Sequence, residues 1–350
     1  MAKERIIKLP QTKGEFKISG NVTGTEKGDN FFKSMKTKTN RDMRIINFGV
    51  ETKPDSTVYV SLNGMANDSV YFYKRPEKGE KKGTTKAVAW SERMLFKEEG
   101  YRLIGVNVGV TKKLLSNGEQ KNDNKMMTPF DATKFIADNL KDNDSVFIRG
   151  NIEYSSFKDD KGEIKRSSKF VPSQVSLCSP VDFEKEDFKE NNSFKQTIIF
   201  DNIVKNDEDK DDIKFEVTAR IVTYSSIEMF TFIIRNQQLA SMFKKNLKPY
   251  TAIEVWGHIN NKIQKEQETE EDCWGETNTF DVSRKPMIRE LEITGANPSS
   301  IDTDTYSEEE IETALRALRE FGDDTSSSAN STDGWGTDEP SSNDEDDEWD

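Results

Sequence analysis

Two stretches decide the reading of this chain: NLKDNDSVFIRGNI at residues 139–152 and NLKPYTAIEVWGHI at residues 246–259. Laid over one another at a constant offset of 107 residues they need no gap, and five of their fourteen positions are identical. Each describes the end of a helix, a short turn, and a strand with a glycine inside it, Gly150 in the first copy and Gly257 in the second. Val146/Ile253, Ile148/Val255 and Ile152/Ile259 keep one apolar face, as the two-residue period of a strand requires. A match of this kind marks one supersecondary unit used twice.

Working outward, residues 16–24, 43–52 and 57–65 alternate or are rich in β-branched and aromatic types, which predicts three strands. Thr128 and Pro129 suit the N-cap and first turn of a helix over PFDATKFIADNL. Strands at 145–157 and 169–177 follow, separated by the turn signal KDDKGE. Beyond the polar segment PVDFEKEDFKENN the order returns: strands at 195–203, 213–223 and 228–235, a helix at 236–248, then strands at 251–263 and 287–294 flanking the acidic KEQETEEDCWGE.

Three strands, a helix and two strands, twice over, is the element order of the OB-fold, in which a glycine in the fourth strand eases a tight bend. The expected fold is therefore mainly β: two tandem OB-like five-stranded barrels. The first, 1–180, carries an insertion at about 66–113, with further strands at 70–74 and 101–110 around the basic loop KRPEKGEKKGTTK. A linker at 181–194, a second barrel at 195–298, a helix region at 299–322 and an acidic tail at 323–350 complete the expected organisation. In the helix, Ile311, Leu315, Leu318 and Phe321 or Ala314 form an apolar stripe suited to docking on a barrel or a partner. The tail, with only Trp335, Pro340 and Trp349 among acidic, small and polar residues, is expected to be disordered.

Charge divides the chain. The net charge of −13 conceals 23 basic against 13 acidic residues in 1–113, and 2 against 18 in 301–350. A basic front and an acidic end suit a polyanion site with an internal competitor. Cys178 and Cys273 stand apart and His258 is the only histidine, so Cys and His alone cannot build a four-ligand zinc site. Catalysis of the Ser-His-Asp or Cys-His kind would have to use His258, which sits in a predicted strand. With no phosphate-binding glycine loop either, the expectation is a binding protein without enzymatic activity or cofactor.

Single-strand binding needs cations along the phosphates and aromatic faces for the bases. The segment FFKSMKTKTNRDMR offers both: Phe31 and Phe32 beside Lys33, Lys36, Lys38, Arg41 and Arg44, in what is expected to be the loop between the first two strands. Alternation turns Tyr59 outward in its strand and Phe147 and Arg149 outward in theirs. The insertion adds Tyr71, Tyr73, Lys74, Arg75, Trp90 and Arg93. In the second repeat Trp256 and His258 face outward by the same logic, beside an acidic loop that makes a poorer polyanion site.

With these features the chain resembles the single-stranded-DNA-binding proteins of bacteriophages and bacteria, and the phage proteins above all. The resemblance implies a role in DNA replication or recombination, and a location in the cytoplasm, the host's if the chain is phage-encoded. It also implies that the acidic tail, with TDEPSSNDEDDEWD at its end, recruits replication or recombination partners through Trp335, Asp344, Asp346, Asp347, Trp349 and Asp350 while competing with DNA for the barrel. One departure is the end itself: bacterial tips finish on an apolar residue, this chain on Asp350. Two further readings stand beside this one, a protein-interaction adaptor or DNA mimic acting through the tail, and a single-strand annealing protein.

Overall fold

The chain begins, in a computed structural model that describes residues 6–79, 82–116, 118–158, 162–207, 212–263 and 287–326, with an extended segment leading into β1 (Gly14–Thr23). Phe16, Ile18 and Val22 of β1 are buried while Glu15 and Lys17 are exposed. One 3-10 turn (Gly28–Asn30) leads to β2 (Phe32–Lys36), β3 (Asp42–Lys53) and β4 (Ser56–Met65). In β4 the two-residue period is clearest, with Val58, Val60 and Leu62 inside and Tyr59 outside. The inserted segment holds β5 (Ser69–Lys74), β6 (Thr84–Ala89), β7 (Tyr101–Leu103), β8 (Val106–Gly109), β9 (Lys112–Leu114), β10 (Gln120–Asn122) and β11 (Lys125–Met127). Helix α1 (Pro129–Asn139), β12 (Ser145–Lys158) and β13 (Ile164–Leu177) follow. Then come β14 (Asn191–Asn206), β15 (Lys214–Val222), β16 (Ile227–Ile234), α2 (Gln237–Asn246), β17 (Thr251–Ile263), β18 (Met287–Asp302) and α3 (Glu308–Ser326).

The strands pair in two closed circuits. In the first, β1 pairs antiparallel with both β3 and β12, β3 with β4, and β12 with β13. The parallel pair Phe170↔Val60 between β13 and β4 completes the ring. The second has the same plan: β14 pairs with β15 and β17, β15 with β16, β17 with β18, and Ile233↔Glu292 closes β16 on β18 in parallel. Each helix falls between the third and fourth strands of its circuit. Thr128 Oγ1 accepts from the Asp131 amide and Asn236 Oδ1 from the amides of Gln238 and Leu239, caps worth about 1 kcal/mol each.

The repeat read at an offset of 107 is repeated in the backbone. Leu140 and Leu247 both leave their helices in extended conformation, and Asn143 and Tyr250 both take a φ of 69° in the turn that follows. Gly150 and Gly257 both sit at a bulge in the pairing with the fifth strand. A Cβ on Gly150 would stand 2.0 Å from the Val171 carbonyl oxygen, and one on Gly257 1.8 Å from that of Glu292, so only glycine allows the two strands to approach this closely.

The two circuits are joined along their first strands. β1 runs antiparallel to β14 with Phe16 opposite Phe194, both buried, and one apolar core extends through both rings. At this seam the Tyr154 hydroxyl donates to Gln196 Oε1 (3.2 Å), and the Tyr154 ring meets that of Phe230 edge-on at 4.9 Å. Burial pushes the Tyr154 phenol far above its ordinary pKa, so it remains a neutral donor. Asn261 Nδ2 also donates to the Thr57 carbonyl (3.0 Å), tying β17 to β4.

Several sequence expectations need correction. Residues 31–44 are a β-hairpin, β2 with the start of β3, turned at Asn40 with φ 60°, because Phe32 pairs with Ile46 and carries the sheet outward. The strand expected at 101–110 breaks into β7 and β8, since Gly105 lies so near the Met127 carbonyl that a Cβ would be 2.1 Å from it. The insertion continues to α1, with β9, β10 and β11 unread in the sequence. The linker ends before 191, because Asn191 to Phe194 already pair with β1 or β17. α3 does not stop at Gly322 and runs to Ser326. Its stripe docks on the second ring: Ile311 and Ala314 are buried with Ile7, Leu9, Ile199, Val222, Ala252 and Tyr306, and Leu315 and Leu318 pack on them. The Phe321 side chain, the acidic segment 265–276, Cys273 and the tail from 327 lie outside the described residues.

Candidate nucleic-acid interface

Cross-strand register assembles one face from β2, β3 and β4. Lys33, Ile45 and Asn63 lie in one row, Asn47 and Ser61 in the next, and Gly49 and Tyr59 in a third. Ser61 Oγ donates to Asn47 Oδ1. Tyr59 is 37% exposed, and a Cβ on Gly49 would stand 3.4 Å from its Cε1. The room that Gly49 leaves is taken by Thr23 Oγ1 and Thr57 Cγ2, 2.5 and 2.7 Å from where its Cβ would stand, while the Tyr59 ring lies beside it in ordinary contact. From β18 of the second ring, Arg289 places its guanidinium 5.9 Å from the Tyr59 ring centroid. Sequence reasoning missed Arg289, which lies 230 positions from its neighbour; only the pairing of β17 with β4 brings them together. Lys33, Lys38 and Arg289 are exposed and carry no ion pair among the described residues.

The aromatic pair expected to stack bases is not available. Phe31 is buried in the core and Phe32 packs against it, because both lie where β2 begins to cover the ring. Arg44 points to the helix side: its guanidinium lies 3.8 Å from the Phe130 ring centroid and Nη1 donates to the Phe130 carbonyl (3.2 Å). Lys36 pairs with Asp42 and Arg41 with Asp68, both at the exposed end of the hairpin.

The insertion divides its expected residues between two faces. Trp90 packs on the buried Val70, Phe72 and Val88, and meets Phe130 edge-on at 5.7 Å. Arg93 stacks over Trp90 at 4.1 Å and forks onto Asp131, Nε to Oδ2 at 2.9 Å and Nη2 to Oδ1 at 3.1 Å. Burial works against the Asp131 carboxylate, yet hydrogen bonds from Arg93 and Thr128 outweigh it and hold its pKa below the ordinary value. Trp90 and Arg93 thus fasten the insertion rather than present it to a ligand, and Lys74 bonds Glu77 three residues further on. Tyr71, Tyr73 and Arg75 remain exposed.

Elsewhere, Phe147 and Arg149 face outward from β12 as their alternation predicts, Arg149 exposed and Phe147 half-buried. In the second ring Trp256 is 42% exposed, with its indole lying on Gly295, where a Cβ would be 2.6 Å from Nε1. His258 is exposed and its Nδ1 lies 2.9 Å from Asn192 Oδ1. Cys178 is a half-buried free thiol whose pKa burial pushes up. Among the described residues no cluster of His, Cys, Asp or Glu could hold a metal ion, and no helix is long and apolar enough to cross a membrane.

Fold and site define a mainly β chain with exposed aromatic rings on its strand faces, Tyr59 with the Arg289 guanidinium beside it. The chain belongs to the YorF family, whose model matches residues 75–328. No curated protein matches it. Among solved structures it is similar to a deletion variant of the single-stranded DNA binding protein from Thermus aquaticus, at 10% identity and a TM-score of 0.39, covering 82% of this chain and 94% of that one. The wild-type form of that protein matches at 9% identity and a TM-score of 0.37, covering 82% and 93%. At such scores the superposition is loose.

Proposed function

We propose that the chain binds single-stranded DNA without strong sequence preference, through the face of β2, β3 and β4, and that its two strand circuits are tandem OB-type barrels. The observation that carries this reading is Tyr59, exposed on β4 opposite Gly49 with the Arg289 guanidinium 5.9 Å from its ring centroid, and Lys33 and Lys38 on the same hairpin and sheet. A ring held in this way is preorganised for a base, and stacking tolerates any base because each has a π-face. The exposed cations of this face, Arg289 at the ring and Lys33 two cross-strand rows away, suit the phosphates, whose neutralisation makes binding fall with salt. The role is binding, not catalysis, and it serves DNA replication or recombination. The acidic region at 323–350 competes with DNA for this face and recruits partner proteins.

The test is a fluorescence-anisotropy titration with oligo-dT over a salt series, using the full chain and a form ending at Ser326. Affinity should fall with a log–log slope near −0.7 per phosphate contacted. The shortened form should bind more tightly, most clearly at low salt, because an intramolecular polyanion is then absent. No binding at low salt by either form would refute the function, and equal affinities would remove the competing tail.

A further inference from the structure

We propose that the insertion carries a second platform for single-stranded nucleic acid, on the open face of β5, β6 and β7, separate from the face around Tyr59. This rests on the single-strand reading above and assigns it a second set of residues. One side of the small sheet is closed by Val70, Phe72 and Val88 under Trp90, Phe96, Tyr101 and Leu103. The other side bears Tyr71 and Tyr73, 55% and 39% exposed, paired across the sheet with Ala87 and Thr85, and Arg102 stands opposite Tyr73 on β7.

Three features point to a nucleic acid. First, Tyr73 is seated on a glycine: a Cβ on Gly83 would lie 2.5 Å from Tyr73 Cζ and 2.4 Å from its hydroxyl oxygen, so the ring occupies the space a side chain there would need. Second, Tyr71 and Tyr73 are two residues apart on one strand face, about 6.8 Å. Neighbouring bases of a strand stretched to about twice the 3.4 Å duplex rise can each cover one ring. Third, the face is cationic. Arg102 and Arg75 are exposed without an ion pair among the described residues, and no carboxylate occurs among Tyr71, Tyr73, Thr85, Ala87 and Arg102. The whole segment 66–128 holds 13 basic against 8 acidic residues. A protein partner would find here little apolar surface beyond two rings, whereas a phosphate chain finds charge and stacking together.

The platform is also held in place. Arg93 on Asp131 and Trp90 on Phe130 fix the insertion to the start of α1, so its sheet is not a free arm. A strand engaging both faces would be longer than one held at Tyr59 alone.

The experiment compares the full chain with Tyr71→Ala/Tyr73→Ala and, separately, Arg102→Glu, titrating oligo-dT of increasing length at fixed salt. Both variants change exposed positions and leave Val70, Phe72 and Val88 in place, and the second keeps the test valid should the first fail to fold. Each variant should bind long oligonucleotides at least about 5-fold more weakly, the factor corresponding to ~1 kcal/mol for one lost stack, and cover fewer nucleotides. Affinity for the shortest oligonucleotide that binds should be unchanged. Unaltered affinity and site size in both variants, with the parent chain still binding DNA, would overturn the platform and leave the proposed function standing. A parent chain that does not bind would overturn both.

Discussion

Removing the Arg235 guanidinium tests what holds the second strand circuit closed. Its nitrogens reach three carboxylates: Nε and Nη2 bond Asp212 at 2.7 and 2.8 Å, Nη2 also bonds Glu290 at 2.7 Å, and Nη1 bonds Glu292 at 3.0 Å. Lys214 Nζ adds a 2.8 Å bond to Glu290, whose side chain is only 10% exposed. The cluster sits where β16 and β18 meet through Ile233↔Glu292 and the ring closes. In Arg235→Met the aliphatic stem remains, while three carboxylates lose the guanidinium: Glu290 keeps Lys214 and Glu292 keeps the side-chain amide of Asn260. Breaking a buried pair costs about 3–5 kcal/mol, and because Arg235 is 29% exposed we expect about 2–3 kcal/mol here.

The pH dependence gives the expectation its sharpest form. Burial opposes ionisation of Glu290, but hydrogen bonds from Lys214 and Arg235 outweigh it and hold the carboxyl below its ordinary pKa. A carboxyl depressed in the folded state contributes stability that is complete above its unfolded pKa and is lost as pH falls through the folded one. The Arg235→Met deficit should therefore be largest near neutral pH and shrink below the unfolded glutamate value of about 4.3. Urea unfolding of the full chain, followed by tryptophan fluorescence between neutral pH and about 3.5, measures it; Arg235→Lys, keeping charge without the fork, should fall between the two. A deficit that is absent, or constant across that range, would refute the network as the closing element.

Two further outcomes follow from the packing. Gly257→Val places its Cβ against the Glu292 carbonyl and should cost at least about 2 kcal/mol in the same unfolding assay, whereas Gly28→Ala, with φ of 53° and open space around it, should cost only about 1 kcal/mol. Ile311→Asp puts a charge into the cluster shared by Ile7, Leu9 and Tyr306; amide exchange should then rise in α3 and at Ile7 and Leu9 while the first strand circuit stays protected, and unchanged protection would refute the docking of α3.

The repeat was legible because its determinants are local. Helix caps at Thr128 and Asn236, a turn residue at positive φ and a strand glycine each leave a mark within a few positions, and the constant offset aligned them all. Insertion strands such as β9, β10 and β11 left no such mark: each is three residues long, too short for a period, and exists through the partner it pairs with. The break at Gly105 depends on Met127, a contact no window of ten residues contains.

The site was harder for a related reason. Composition drew attention to Phe31 and Phe32, yet adjacent aromatics beside lysines serve equally to fill a core, and here Phe31 lies in it with Phe32 packed against it. Alternation located Tyr59, Tyr71, Tyr73 and Trp256 on open faces, because facing depends only on the strand's own period. Two of these rings lie directly opposite glycines in the pairing, Tyr59 at Gly49 and Trp256 at Gly295, and Tyr73 lies against Gly83 just before β6. A glycine gives a strong local signal when its φ is positive, as at Gly24 or Gly100; none of these three has that conformation. Each leaves room that another segment fills: Thr23 and Thr57 at Gly49, Tyr73 at Gly83, Trp256 at Gly295. Which residue fills it is decided by pairing and chain path, so an exposed ring against a glycine is a feature to seek only once the pairing is known, and in this chain it points to Tyr73 and Trp256 where composition pointed to Phe31 and Phe32.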